Sequence, residues 1–187
     1  MTPQPFAPDC DRWRTTSTTD SLDATGGVVD RYARDIEVPE DRDVEAVFRL
    51  LEERLLSYRI FPERLVRPEI CSEDGRLHEG TTIVQHVAIG PLRLEAAVRV
   101  VRLWRDESDD GVESGFTYAT LEGHPERGIS TFRIRRRSGE RTITFLIDAR
   151  SRPGSLLTRL GGPFARRFQR HATEAALARF AALDRTD

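Results

Sequence analysis

Between Thr81 and Ala149 the chain alternates apolar and polar residues with a period of two, broken only by short turn signals. This feature constrains the fold most, because a two-residue period places every second side chain on one face of a strand. Thr81 to Ile89 is stopped by Gly90-Pro91. Leu92 to Arg105 then carries Leu92, Leu94, Ala96, Val98, Val100 and Trp104 in phase. Asp109-Asp110-Gly111 turns the chain toward Phe116 to Leu121; Ile129 to Arg136, closed by Ser138-Gly139, and Thr142 to Ala149 complete a meander. Connections this short join antiparallel neighbours.

A sheet of that length must bury one face, and the sequence supplies helices on either side of it. Val28 to Val38 reads as a first strand ended by Pro39. Asp43 then caps a helix over 44–58, with Val44, Val47, Phe48, Leu51, Leu55 and Leu56 on one side. Tyr58-Arg59-Ile60-Phe61-Pro62 ends that helix, and a loop containing Asp74-Gly75 follows. Beyond Pro153-Gly154 the period turns helical, with Leu157, Leu160, Phe164, Phe168, His171 and Ala175 as one buried stripe. Gly161-Gly162-Pro163 interrupts it with a kink or a restart. The order predicts an α+β helix-grip fold, a curved antiparallel sheet wrapped around a long C-terminal helix. A cavity can remain between the two.

One domain accounts for residues 26–187. Residues 1–25 are rich in Thr, Ser, Asp and Pro, and read as an extension that is disordered or draped on the domain, with Phe6 and Trp13 as possible anchors. Cys10 and Cys71 show neither metal spacing nor a disulfide framework, which predicts free thiols and, with no leader-like opening, a cytoplasmic protein. Apolar residues are 38% and charged residues 32% of the chain, and no stretch is long enough to cross a bilayer as a helix. All 29 basic residues are Arg, which excludes lysine chemistry of the Schiff-base or phosphate-loop kind. Charge is divided: residues 1–123 hold 15 Arg against 25 acidic residues, and residues 124–187 hold 14 against 6. Pairing of the two halves across one fold accounts for this more simply than an arginine-rich face for an acidic partner.

The segment Tyr118-Ala119-Thr120-Leu121-Glu122-Gly123-His124-Pro125-Glu126-Arg127-Gly128 resembles the signature of the family called domain of unknown function nineteen-ninety, which is similar to the START-like (Bet v 1-like) superfamily. Tyr58-Arg59-Ile60-Phe61, Gly80-Thr81-Thr82, Ser151-Arg152-Pro153, Leu160-Gly161-Gly162-Pro163 and Gln169-Arg170 agree with it, over about residues 28–183. The chain departs where the family has Gly, at Ala119, and where it has two acidic residues, at Ile129-Ser130. The resemblance implies a helix-grip domain whose superfamily relatives bind hydrophobic ligands or, in some cases, catalyse.

The candidate catalytic residues are His124 and Glu126, which share a face if the backbone between them is extended, so that a carboxylate could hold the imidazole tautomer. The alternative is a turn in which His124 caps backbone groups. Tyr118, His124 and Glu126 are the expected polar contacts of a small hydrophobic ligand, with Trp104, Phe132, Phe145, Phe164 and Phe168 as aromatic wall or ordinary core. His78, His86, His124 and His171 show no metal spacing, His171 reads as a core residue, and no cofactor is indicated. Arg133, Arg135, Arg136 and Arg137 on one strand, and Arg159, Arg166, Arg167 and Arg170 on the last helix, lack interleaved aromatics. Nucleic acid is therefore not favoured as a partner.

Overall fold

In a computed structural model, residues 10–19, 28–89, 92–153 and 162–182 are described, without the side chains of Ile89, Leu92, Pro153 and 162–169. Seven strands form one antiparallel sheet: β1 (Val28–Glu37), β2 (Val66–Cys71), β3 (Thr82–Ile89), β4 (Leu92–Ser108), β5 (Gly111–Thr120), β6 (Glu126–Arg137) and β7 (Thr142–Pro153), in the order β1-β7-β6-β5-β4-β3-β2. The meander behaves as its alternation demands. Phe116, Phe132, Ile134, Ile143, Phe145 and Ile147 turn to one inner face and are buried there. β2 escapes the alternation argument because it is an edge strand carrying Pro68, which only an edge tolerates.

Two helices share the inner face. α2 (Val44–Leu56) starts at Asp43, whose carboxylate accepts from the Glu45 amide at 3.1 Å, and buries Val47, Phe48, Leu51 and Leu55 against β5 and β6. It ends at Tyr58 in the left-handed region (φ 53), with the Tyr58 amide donating to Leu55 O and the Arg59 amide to Arg54 O. That is a Schellman cap with tyrosine in the position glycine usually fills. The α-helix here called α3 (Gly162–Ala181) packs on β1 and β7, with the Phe180 ring stacked on Phe145 at 4.1 Å. The described C-terminal helix spans Gly162–Ala181, and the part of the expected stripe at Leu157 and Leu160 lies outside the described residues.

Three expectations need correction. Among the described side chains of α3 the buried ones are Ala172, Ala176 and Phe180, while His171 is exposed and Ala175 only half-buried, because the face turned to β1 and β7 is the one that carries Phe180 onto Phe145. Trp104 does not face inward. The register of β4 against β5 slips between Val100 and Arg102, so Val101 is an extra residue and every later side chain changes face. Leu103 joins the core instead, and Trp104 lies outside, donating to Glu113 at 3.2 Å under the Arg102 guanidinium. The third correction concerns the thiols: Cys10 and Cys71 are joined by a disulfide.

That disulfide belongs to a strap over the outer face. α1 (Cys10–Arg14) packs on β3, and Trp13 is 7% exposed among Val84, Ala97 and Leu121. Arg99 reaches up from β4 and donates to the carbonyls of Trp13, Arg14 and Thr16. Of the extension, residues 10–19 are thus draped on the domain, and Phe6 lies outside the described residues.

The charge split resolves in part as cross-fold pairing. Arg136 pairs with Glu45 and Arg133 with Glu113, each joining the basic half to the acidic half. Arg137 pairs locally with Glu140.

Candidate functional site

The inner face is filled by α2 at one end and by the last turns of α3 on β1 and β7, and a cavity of about 260 Å³ lies between them. Its floor is aromatic: the Phe132 ring meets Tyr118 and Phe61, with centroids 5.6 Å and 6.1 Å away. Val66, Val87, Leu94, Ala96 and Ile147 complete an apolar wall. Tyr118 and Phe132 are there because alternation on β5 and β6 points them inward beside Phe116.

A buried polar network crosses this floor. Gln85 Nε2 donates to the Tyr58 hydroxyl at 2.6 Å, and Tyr118 is hydrogen-bonded to Tyr58, Gln85 and Ser130. Burial raises the Tyr58 hydroxyl well above its ordinary pKa. It raises Tyr118 as well, against the lowering effect of its hydrogen bonds, with the Glu126 charge adding to the rise. Both phenols are neutral near pH 7 and act as hydrogen-bonding groups rather than bases.

His124, in the turn between β5 and β6, and Glu126, the first residue of β6, line the cavity. Gly123, with φ 92, makes that turn. Gly128 follows because a Cβ there would meet Arg150 O at 2.1 Å. The His124 Nδ1 is 3.0 Å from the Glu126 amide and 2.9 Å from its carbonyl, accepting from the first in one tautomer and donating to the second in the other. Burial lowers His124 to about 4, opposed by its contact with the Glu126 backbone, so the ring is neutral at pH 7. The imidazole is thus held by the backbone of Glu126.

Of the residues named from sequence, Tyr118, His124, Glu126 and Phe132 converge on the cavity. Phe145 is core, fully buried against Phe180, and Trp104 is on the outer face. The side chains of Phe164 and Phe168 lie outside the described residues. Sequence reasoning missed Tyr58, Phe61 and Gln85. Gln85 carried a signal, a lone amide between inward-facing Ile83 and Val87. The departures from the family pattern fall in two places: Ala119 is buried on β5 between inward-facing Tyr118 and Thr120, whereas Ser130 lines the cavity and bonds Tyr118. Among the described residues no group of His, Cys, Asp and Glu is arranged to hold a metal ion, and no helix is long and apolar enough to cross a membrane.

This architecture, an α+β fold with one seven-stranded antiparallel sheet and helices on its inner face, recurs in solved structures. A hypothetical protein of Helicobacter pylori shares the fold with TM-score 0.57 at 9% identity, covering 99% of both chains. A protein of Thermus thermophilus has TM-score 0.52 at 12% identity, over 82% of this chain and 94% of that one. Truncated norcoclaurine synthase from Thalictrum flavum has TM-score 0.50 at 12% identity, over 88% and 100%. No curated protein matches the sequence. The chain belongs to the DUF1990 family, a domain of unknown function, whose model matches residues 16–179.

Proposed function

We propose that the protein binds a small, mostly apolar molecule in the cavity between the sheet and its helices. The observation that carries this reading is the aromatic floor of Phe61, Tyr118 and Phe132 with His124, Glu126 and Ser130 directed to the same space. Apolar walls supply the affinity through burial, and a few converging polar groups fix orientation. The volume suits a ligand of one or two fused rings carrying one hydroxyl or similar group. That group would exchange hydrogen bonds with Tyr118, Ser130 or neutral His124. Acid–base catalysis by His124 and Glu126 is less supported, since the contact that would tune the imidazole is made by the backbone.

The test is 2-naphthol titrated into the full chain and followed by NMR. Shift changes at Tyr118, His124, Ser130 and Phe132 are expected. Changes confined to the outer face, or none at millimolar probe, would overturn the reading. Mass spectrometry of compounds extracted from the purified protein then identifies a natural occupant.

A further inference from the structure

The strap on the outer face is wired to the cavity rim. The Thr19 amide donates to Thr120 O at 2.8 Å, Thr18 forms a β-bridge with Leu121, and the Glu122 amide donates to Ser17 O at 3.0 Å. The strap therefore acts as a short extra strand beside the end of β5, from which the rim turn departs. Thr120 carries the coupling through the sheet. Its hydroxyl contacts Thr19 Oγ1 on one side and accepts from the Gly128 amide at 3.0 Å on the other, and both Thr120 and Gly128 line the cavity. His124 hangs on the same turn, its amide donating to Leu121 O, and Trp13 packs over Gly123.

At its other end the strap is fastened by the Cys10–Cys71 bond to the edge strand β2, and both cysteines are half-buried. We infer that this disulfide is a redox clamp: intact, it holds the strap and orders the rim turn around His124; reduced, it releases both. The step balances with a dithiol reductant. One of its thiolates attacks one sulfur of the Cys10–Cys71 bond and expels the other cysteine as thiolate. Its second thiol then resolves the mixed disulfide, so that two electrons and two protons pass to the cysteines and the reductant leaves as its own disulfide. A loosened rim must be ordered again on binding, which lowers apparent affinity by the fraction of molecules that are competent.

The regulatory half of this inference rests on the ligand-binding reading; the clamp itself does not. The test therefore uses two readouts on the full chain, oxidised and reduced with dithiothreitol. Amide hydrogen exchange at Thr19, Glu122 and His124 is expected to speed up at least about tenfold on reduction. The 2-naphthol dissociation constant is expected to rise about threefold or more. The Cys10→Ser/Cys71→Ser variant should match the reduced protein and ignore the reductant. Arg99→Gln, which frees the strap carbonyls but keeps the bond, should show partial loss of protection at the same amides. Two free thiols in the unreduced protein, or unchanged exchange on reduction, would overturn the clamp. Faster exchange with unchanged 2-naphthol affinity would overturn its control of the cavity. Absence of 2-naphthol binding in the oxidised protein would overturn the binding reading instead.

Discussion

Gln85 Nε2 donates to the Tyr58 hydroxyl at 2.6 Å, joining the C-cap of α2 to the floor of the cavity on β3. A non-glycine residue in the left-handed region costs about 1–2 kcal/mol. The fully buried ring and its hydrogen bond offset that cost, so the cap and the cavity floor stabilise each other. Tyr58→Phe keeps the ring and leaves the Gln85 amide without this acceptor. Urea denaturation should show a loss of about 1–2 kcal/mol with an unchanged m-value.

The neutral state of His124 gives stability a pH dependence. Its folded value is about 4 against an ordinary 6.5, so the unfolded chain binds more protons between these values and stability rises with pH across that window. The contribution is fully present above pH 6.5 and falls away toward pH 4, by at most about 3 kcal/mol. Subtracting the curve of His124→Phe cancels the carboxylates that titrate in the same range. The difference should slope upward from pH 4 to 6.5 and be flat above it.

Gly128→Ala tests the close approach behind the motif glycine. A Cβ at 2.1 Å from Arg150 O cannot be accommodated by a side-chain shift, because the obstacle is backbone. Destabilisation of about 1–3 kcal/mol or more is expected in chemical denaturation.

The disulfide closes a loop with a sequence separation of 61. On the chain-entropy model its removal costs about 4 kcal/mol. Cys10→Ser/Cys71→Ser should therefore lower the denaturant midpoint clearly while far-UV circular dichroism stays unchanged, since the sheet does not depend on the strap.

The meander, α2 with its Asp43 cap and the inward placement of Tyr118 and Phe132 were legible because alternation and helical spacing act locally. What was hidden depends on non-local geometry. The bulge at Val101 sends Trp104 outward; its marks in the sequence, the Val100-Val101 doublet and a charged Arg102 at the next inward position, are slight beside the long alternation that precedes them. Phe145 obeys its alternation, yet Phe180 on a helix remote in sequence turns it from cavity wall into core. Cys10 and Cys71 look unrelated until strap and edge strand bring their Cα atoms to 5.7 Å. Tyr58 sits where sequence logic expects glycine, and only its partner Gln85 explains it.

The central claim is that the space above Phe61, Tyr118 and Phe132 receives a ligand. Ala96, on β4, is buried and lines that space, so Ala96→Phe fills it from the stretch of β4 that precedes the bulge and pairs regularly with β3. The most direct measurement is fluorescence titration of 2-naphthol into the wild type and into Ala96→Phe, with denaturation curves confirming that the variant is folded. The account predicts saturable one-to-one binding to the wild type, weakened at least about tenfold in the variant, equivalent to about 1.4 kcal/mol. Equal affinity in the two folded proteins would place the probe elsewhere and contradict it.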